Sequence, residues 1–485
     1  GYDLQLIKSI TDAVSIPVIA CGGVGHYSDF TKGIKEGNAS AVAAANIFHF
    51  YELAYPFAKK TCVEDGIPMR EVSIDNKWFP REPNYNFEER DKILKERMER
   101  SKKNLGPIRR VDSKLNVKWC STCVYPSINA APMEFDENGV CMGCLTSGDK
   151  VEIKQNEWER RKKLFIDILE ENKCKDGSRH DCIVAVSGGK DSHFQTHYIK
   201  NILGFNPLLV TYYGNNFSDV GQRNLMRMKD TFGVDHIIVQ PSVDLLKKLN
   251  RLGFKIMGDM NWHNHIGVCT VPMKIAALHK IPIVIWGEHG YSDLAGQFSM
   301  NDFVEWTYRT RLEHYSRGFD WNYMVGLEDI TAQDMWAYQY PSDKEILDLN
   351  LKGIHMSNYV YWEANEHGKL MIDKFNFEVA DQPFDRTYRT MSNLDDIHEN
   401  GVHDYMKYIK LGYGRCTDHA TKDIRAEKMS RGQAIDLVRK HDHVKPGDLV
   451  RWLEYTEMTE KEFDQIADTF RDPRVWKKKN GEWIK

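Results

Sequence analysis

The sequence predicts an α/β protein whose largest domain is a doubly wound parallel β-sheet. Three short apolar runs, CIVAV (182–186), NPLLVTYY (206–213) and IPIVIW (281–286), are typical of buried strands. Segments with helical spacing separate these runs, which is the pattern of repeated β/α units. A separate pair of β/α units precedes this domain, and a cysteine-rich stretch lies between the two.

The composition is that of a globular protein without a membrane span. Hydrophobic residues make up 41% and charged residues 28% of the chain, and a formal net charge of −4 provides no basic field for nucleic acid. We find no apolar run of membrane-span length and no secretory leader, which predicts a cytoplasmic protein. The first residue is Gly1, which indicates a processed or truncated piece of a longer product.

Residues 1–72 contain two predicted β/α units. IPVIA (16–20) and SAVAAA (40–45) have the composition of buried strands, and DLQLIKSITDAV and SDFTKGIKEG have helical spacing. Two units cannot cover both faces of a sheet, whereas a whole (β/α)8 barrel needs roughly 250 residues. We therefore interpret this segment as part of a larger barrel.

The stretches GYDLQLIK, IPVIACGGVGHYSDF and AVAAANIFHFYE resemble the last quarter of the cyclase subunit of imidazole glycerol phosphate synthase. The resemblance implies a phosphate site on the loops after the last two strands, with Gly22, Gly23 and Asn46 as contacts. The alternative is that the glycines only form tight turns. The catalytic aspartates of that family lie on earlier strands, so this segment alone cannot be that cyclase.

Residues 73–115 are predicted to form a linker. FPREPNYNF contains two prolines and no periodic pattern, and EERDKILKERMERSKKN predicts a charged helix that bridges domains in solvent. Its Lys and Arg residues could contact RNA, but the interleaved Glu residues cancel the positive field.

Residues 116–150 carry four of the ten cysteines in two C-x-x-C pairs, Cys120 and Cys123 followed by Cys141 and Cys144. This spacing is typical of a zinc ribbon with one tetrahedral Zn2+, and DENG between the pairs predicts a hairpin turn. Four protein ligands leave no open position, so a structural role is favoured. An iron–sulfur cluster, catalytic dithiol chemistry and contact with nucleic acid are the alternatives.

The stretch IVAVSGGKDS (183–192) predicts a strand, a glycine turn and a helix start, where backbone N–H groups attract phosphate. It is not a Walker loop, because Val184 stands where that motif needs glycine and Asp191 where it needs Ser or Thr. The order S-G-G-x-D-S instead resembles the PP-loop of the ATP pyrophosphatase superfamily. The alternative is a plain glycine turn.

This resemblance implies a PP-loop domain over residues 151–400 that cleaves ATP between the α and β phosphates. Its implied nucleotide site consists of Ser187, Gly188, Gly189, Lys190, Asp191, Ser192, Thr211 and Gly287. Asp191 would hold Mg2+, and Lys190 and Ser192 would bind pyrophosphate oxygens. Glu288, at the carboxyl edge of the predicted sheet, is a third catalytic candidate beside Lys190 and Asp191. The alternative role for Glu288 is to cap the following segment.

From about residue 115 to about 450, the chain resembles the N-acetyl sugar amidotransferase family of surface-polysaccharide biosynthesis. The cysteine pairs, VSGGKDSHFQ, GFNPLLVTYY, IPIVIWGE and LGYGRCTDHATKDIR carry the resemblance. It implies that ATP adenylates the acetamido oxygen of a nucleotide-linked sugar and that ammonia then replaces this oxygen. It also implies a separate glutaminase subunit as the ammonia source. Where the family often has Gly-Glu-Asn, this chain has Gly287, Glu288 and His289.

GYGRCTDHATKDIR lies in the predicted C-terminal helical region, 401–485. Arg415, Asp418, His419 and Arg425 are candidate contacts for a sugar carboxylate or diphosphate. The alternative is a salt-bridged helix start with Thr417 or Asp418 as its cap. Ser430 and Thr459 are predicted to cap two further amphipathic helices. The aromatic stretch of the 300s could line a sugar pocket or pack two subunits, so a homo-oligomer stays open.

Two other functions compete with the amidotransferase. A tRNA-thiolating PP-loop enzyme would need a sulfur donor, and the scattered Cys174, Cys182 and Cys269 disfavour it. A non-catalytic scaffold between a glutaminase and a barrel would have no use for an intact S-G-G-K-D-S. The sequence does not specify which sugar is the substrate.

Overall fold

The structure, a computed structural model, describes residues 1–70, 83–107, 116–131, 133–392, 394 and 400–485. Its N-terminal segment contains two short parallel strands, with Ile19 opposite Ala41 and Cys21 opposite Ala43. Each strand is followed by helices, as the apolar runs predict. The elements are α1 (Leu4–Ala13), β1 (Ile19–Cys21), α2 (Tyr27–Lys35), β2 (Ala41–Ala43), α3 (Ile47–Phe50) and α4 (Ala54–Glu64).

The charged helix of the predicted linker is α5 (Phe87–Lys102), and it packs against the rest of the protein rather than bridging domains in solvent. Arg90 is buried and donates to the carbonyl oxygens of Tyr323 (2.7 Å) and Val325 (2.9 Å). The guanidinium of Arg97 lies 4.0 Å from the ring centre of Phe470. These arginines, together with Met98, which packs against the C-terminal core, therefore hold this helix. Linker residues 71–82 and 108–115 lie outside the described residues.

The main domain is built on five strands that all run parallel, in the spatial order β5-β4-β3-β6-β7. The chain order reverses between β3 and β6, so the predicted doubly wound sheet is confirmed. At such a reversal the carboxyl ends of the strands leave a crevice suited to ligands. The strands are β3 (Cys182–Ala185), β4 (Pro207–Tyr212), β5 (Asp235–Val239), β6 (Ile283–Trp286) and β7 (Lys352–His355).

Helices cover both faces of this sheet. Phe165 and Leu225 belong to the hydrophobic core on one face, and Leu246 and Ile266 belong to the core on the other. The helices of this part are α6 (Met142–Glu152), α7 (Gln155–Asn172), α8 (Lys190–His197), α9 (Asp219–Phe232), α10 (Val243–Met257), α11 (Trp262–His279), α12 (Gly290–Ala295), α13 (Tyr308–Thr310), α14 (Asp343–Leu349) and α15 (Ala364–Phe375).

The C-terminal region is helical, and the predicted caps are confirmed. Ser430 and Thr459 each accept a hydrogen bond from the third residue of the helix that follows. Among the described residues, no helix combines the length and apolar character needed to cross a bilayer. The elements are α16 (Asn400–Leu411), α17 (Arg415–Arg425), α18 (Arg431–His441), α19 (Leu449–Thr456), α20 (Glu460–Asp468), β8 (Lys477–Lys479) and β9 (Glu482–Ile484).

The barrel-type segment is joined to the main domain through the aromatic stretch of the 300s. Phe50 packs edge-on against Phe298, with ring centres 5.8 Å apart, and its carbonyl accepts from the N–H of Glu305 at 2.9 Å. Glu305 in turn accepts from the N–H of Glu52 at 3.2 Å. Glu52 accepts from the N–H of Tyr308 at 2.6 Å. Part of the aromatic stretch therefore packs inside this one chain.

We expect the stability of this junction to depend on the protonation of Glu305. Burial raises the pKa of Glu305 from 4.5 to about 7. Between these two values the folded state binds a proton that the unfolded state has lost, so the free energy of unfolding falls as the pH rises. The substitution Glu305→Gln should remove this loss and stabilise the protein at about pH 8 by about 2–3 kcal/mol.

Urea unfolding of the wild type and the variant at about pH 5 and about pH 8 would measure this effect. Glu313→Gln, at an exposed pair with Arg309, is the matched control. An identical pH dependence in the wild type and Glu305→Gln would show that Glu305 is ionised throughout.

Candidate functional site

The loop between β3 and α8 turns sharply at the carboxyl edge of the sheet. Gly188 has a φ of +81°, and a Cβ on it would lie 2.8 Å from the Cα of Leu225, so only glycine fits. The N–H of Ser187 donates to the Oγ of Ser192 at 2.9 Å, which holds the turn closed. The backbone N–H groups and the dipole at the start of α8 make this turn a favourable place for an anion.

Asp191 presents a buried carboxylate oxygen at the same turn. The Nζ of Lys190 lies 2.5 Å from Oδ2 of Asp191, whereas Oδ1 has no hydrogen-bond partner among the described residues. Leaving such a buried oxygen unsatisfied costs about 1–3 kcal/mol. A divalent cation with a preference for oxygen ligands would satisfy it, so the residues present fit the predicted Mg2+.

Side chains of α8 leave no room for a Cβ at two further glycines near the turn. A Cβ on Gly368 would lie 2.9 Å from the Cδ of Lys190, and a Cβ on Gly287 would lie 2.5 Å from the Nε2 of Gln195. Thr211, in contrast, faces the interior. Its hydroxyl donates to the carbonyl of Val186 at 2.8 Å and is therefore engaged within the protein.

Glu288 lies at the end of β6, across the reversal point from the PP-loop. Its carboxylate forms an ion pair with Lys422 on α17, and both side chains keep part of their surface exposed. The cap of the following helix α12 comes from His289, whose side chain accepts from the N–H of Ser292, so the alternative capping role of Glu288 is wrong. Glu288 is therefore a partly exposed carboxylate with a cation beside it at the predicted edge.

His289 combines its hydrogen bonds to Ser292 with ring contacts. Its ring lies edge-on to that of His355, with ring centres 4.4 Å apart, and burial lowers its pKa from 6.5 to about 4. His355 ends β7, a strand that the sequence pattern did not indicate. Burial also lowers the pKa of His355, so both imidazoles are neutral at physiological pH.

The four cysteines of the ribbon converge with their sulfur atoms within 4.8 Å of one another. Sγ of Cys120 is 4.0 Å from that of Cys144, and Sγ of Cys123 is 3.7 Å from that of Cys141. Four sulfurs around Zn2+, with Zn–S of about 2.3 Å, are separated by about 3.8 Å. The set therefore fits a tetrahedral zinc ion, and DENG forms the predicted turn, with the N–H of Gly139 donating to Asp136.

The ribbon is attached to the C-terminal helices by polar contacts. The hydroxyl of Tyr125 donates to Asp418 at 2.7 Å, and the Nε of Arg431 donates to the carbonyl of Cys123 at 3.0 Å. Arg425 donates to Cys144 Sγ at 3.4 Å and to the carbonyl of Leu294 at 3.1 Å. Arg425 is thus placed to offset thiolate charge rather than to hold a sugar.

The other candidate substrate contacts separate into different environments. Asp418 pairs with Lys407 at 2.6 Å, and His419 is buried with its Nδ1 2.5 Å from the hydroxyl of Thr387. Arg415 pairs with Asp404 at 3.0 Å but keeps part of its side chain exposed. Arg415 is thus engaged with a carboxylate of the protein and only partly accessible.

The predicted cap of this helix is wrong. Helix α17 begins at Arg415, so Thr417 and Asp418 lie inside its first turn. The cap comes from Asp442, which accepts from the N–H of Gly414 at 2.8 Å and from the hydroxyl of Thr417 at 2.6 Å. A carboxylate so distant in sequence gives no local signal of its capping role.

In the barrel-type segment, the loops after β1 and β2 lie side by side because the two strands are paired. Gly22 and Gly23 have φ values of +97° and +78°, so both occupy the left-handed region that favours glycine. Asn46 immediately precedes the short helix α3 and makes no side-chain cap to it. The two glycines and Asn46 thus occupy neighbouring loops, as the barrel resemblance implies.

Two family models match separate parts of the chain. Residues 367–485 match "LPS biosynthesis protein WbpG-like, C-terminal domain", and residues 1–54 match "Histidine biosynthesis protein". The predicted union of a histidine-biosynthesis barrel segment with a surface-polysaccharide domain is therefore confirmed. The WbpG-like match begins inside α15, the helix that carries Gly368 against Lys190.

Individual relatives are similar over limited regions. Over 72 residues the chain is 49% identical to imidazole glycerol phosphate synthase subunit HisF of Hyphomonas neptunium. That region is 15% of this chain and 29% of the relative. An NH3-dependent NAD synthetase from Campylobacter jejuni aligns at 14% identity and a TM-score of 0.24, over 45% of this chain and 85% of its own.

An NMN synthetase from Francisella tularensis aligns at 12% identity and a TM-score of 0.23, over 47% of this chain and 98% of its own. The strand order described above, not these alignments, establishes the fold.

Proposed function

We propose that this chain, which joins a HisF-like segment to a WbpG-like C-terminal domain, is an ATP-dependent amidotransferase acting on an N-acetylated nucleotide sugar. The observation that carries the proposal is the orphaned Oδ1 of Asp191, buried at a glycine turn that opens a helix. A PP-loop sequence at the reversal point of a parallel sheet supports the use of ATP. The WbpG-like domain supports a substrate from surface-polysaccharide synthesis.

The proposed reaction has two steps. The acetamido oxygen of the sugar attacks the α-phosphorus of ATP, and the bond to the β-phosphate oxygen breaks to release pyrophosphate. Ammonia then adds to the activated carbon, and AMP leaves with the former amide oxygen. The product is an acetamidino group, which carries the added proton at neutral pH.

Residues of the turn have distinct roles in this scheme. The backbone N–H groups at the start of α8, with Lys190 and Ser192, would hold the departing pyrophosphate. Asp191 would hold Mg2+, whose charge stabilises the leaving group. Glu288 would orient the acetamido group, and Lys422 would hold its carboxylate in place. The zinc ribbon would support α17, which carries Lys422.

Ammonia is proposed to come from a separate glutaminase subunit bound to the barrel. The chain spans 29% of the length of the HisF relative that it matches. Ammonia is mostly protonated in neutral water, so delivery through a protein interior would keep it nucleophilic. Phe298 contacts both Phe50 of the barrel-type segment and the ring of His289, the residue that follows Glu288.

The thiolation alternative finds little support in the cysteines. Cys182 lies inside β3 and Cys269 inside α11, and burial raises the pKa of both thiols. Neither is available as a thiolate nucleophile. The third scattered cysteine, Cys174, lies after the end of α7 and is half-buried.

The deciding experiment uses the full-length barrel fusion with a glutaminase, or with ammonium at raised pH. ATP, Mg2+ and a panel of UDP-N-acetyl sugars are added, and pyrophosphate and sugar mass are followed. We expect sugar-dependent pyrophosphate release and a product in which N–H has replaced oxygen. Pyrophosphate release with tRNA, but with none of the sugars, would instead establish thiolation.

A further inference from the structure

A second polar group of side chains lies near the carboxyl edge of the sheet, away from the PP-loop. We call Asp259, His265, Arg317, His403 and Lys410 the α16 cluster, because His403 and Lys410 lie on one face of that helix. Residues 403, 407 and 410 share this face, whereas Val402, Met406 and Ile409 on the other face are buried in the core. The polar face of α16 is therefore turned toward protein rather than bulk solvent.

The only carboxylate of the cluster is already paired. Asp259 is fully buried, and its Oδ2 accepts from the Nε of Arg317 at 2.9 Å. His265 Nδ1 lies 3.5 Å and His403 Nε2 lies 3.6 Å from its two oxygens. Although burial raises the pKa of Asp259, these neighbours hold it well below its ordinary value. Asp259 therefore stays ionised, with its charge balanced by Arg317.

Lys410 adds a second positive charge to the cluster, near the one carboxylate that Arg317 already pairs with. None of the described residues accepts a hydrogen bond from its Nζ or forms an ion pair with it, although the side chain is half-buried. Burial, opposed by the charge of Asp259 and aided by those of Arg317 and Lys407, lowers the pKa of Lys410 to about 8. Lys407 is no counter-charge, since it is itself a cation and its own partner is Asp418.

The cluster is oriented toward the proposed reaction site. Asn264, one residue before His265, lies so close to Gly214 at the end of β4 that a Cβ there would be 2.2 Å from its Oδ1. Helix α17 runs from Arg415, beside the cluster, to Lys422, which pairs with Glu288. Seven residues of helix span about 10 Å. The cluster and Glu288 therefore lie near the two ends of α17, a separation that an extended sugar nucleotide matches in length.

We propose that Lys410 and Arg317 bind an anionic group of the substrate, a phosphate or a carboxylate, while the reacting amide lies at Glu288. This assignment rests on the proposed function and specifies how its substrate is held. The exposed part of Arg317 retains N–H donors beyond the one given to Asp259, and a guanidinium suits either anion. A metal ion on Asp259, His265 and His403 is disfavoured because Arg317 and Lys410 would repel it.

A bound anion should protect the Lys410 amine from chemical modification, and this protection can be measured in the full chain. Trace acetylation by acetic anhydride at about pH 8 is quantified at each lysine by mass spectrometry, with UDP or with glucuronate as the probe. We expect one of them to slow acetylation of Lys410 severalfold while exposed Lys369 is unaffected. Protection by UDP alone identifies a phosphate, and protection by glucuronate alone identifies a sugar carboxylate.

Calorimetry of the same two probes gives an independent measure. Lys410→Met should weaken binding of the protecting probe about ten- to hundredfold, because a charge-assisted hydrogen bond is lost. Lys369→Met is the matched control. No protection of Lys410 by either probe in the wild-type chain would overturn the assignment, whether or not the variant folds.

Metal analysis tests whether the cluster binds a metal ion instead of an anion. Zinc bound beyond the ribbon and lost in His403→Ala would make the cluster a metal site and contradict the proposal. None of these measurements uses ATP or turnover, so a failed amidination assay would leave the anion site intact. Conversely, an active enzyme without protection of Lys410 would refute this site alone.

Discussion

Asp191→Asn is expected to reduce ATP-dependent pyrophosphate release by at least about a hundredfold. Asparagine keeps the shape of the side chain but lacks the charge that would hold Mg2+ and pair with Lys190. The orphaned oxygen at Oδ1 would then carry too little negative charge to bind a divalent cation. Pyrophosphate release in the presence of the active sugar and ammonium measures the loss.

The matched control is Asp373→Asn on α15, whose carboxylate pairs with Lys369 on the protein surface. It should release pyrophosphate at the wild-type rate. If Asp191→Asn also retained the wild-type rate, Asp191 would not be the metal-binding carboxylate and the PP-loop would have another role.

Cys123→Ser is expected to remove the zinc ion and lower the free energy of unfolding by at least about 3 kcal/mol. The loss would extend beyond the ribbon, because Tyr125 and Arg431 attach the ribbon to α17 and α18. Arg425 would also be left with fewer thiolates to balance its charge. Zinc content by atomic emission and thermal unfolding of the same sample measure both effects.

Cys174→Ser is the control, since Cys174 is half-buried and lies outside the four-cysteine set. It should keep both the zinc and the melting temperature. Full zinc content with unchanged unfolding in Cys123→Ser would exclude a four-thiolate structural site. Absorption typical of iron in the wild-type protein would instead identify an iron–sulfur cluster at the four cysteines.

Several parts of the molecule could be predicted because neighbouring residues specify them. The run from Ile183 to Ser192 contains its strand, turn and helix start in sequence, so local steric and dipole effects suffice. The spacing of the cysteine pairs likewise restricts where their sulfurs can lie. The caps at Ser430 and Thr459 depend on residues three positions apart.

Other parts could not be predicted because their partners are remote in the chain. Strand β7 is four residues long and begins with Lys352 and Gly353, a pattern without β-propensity that becomes a strand by pairing with β6. Thr211 belongs to the nucleotide site that the resemblance implies, yet its hydroxyl donates to the carbonyl of Val186. Asp442 caps a helix whose sequence points to other residues.

At the carboxyl edge of the sheet, too, some residues are placed by local sequence and others only by the tertiary structure. Local sequence was sufficient to place Lys190 and Asp191 at the glycine turn that opens α8, since both residues belong to that turn. Only the folded chain brings Lys422 to Glu288, and Arg317 to Asp259. Charge pairing acts through space over a few ångströms, and no pattern along the chain records which distant charges meet.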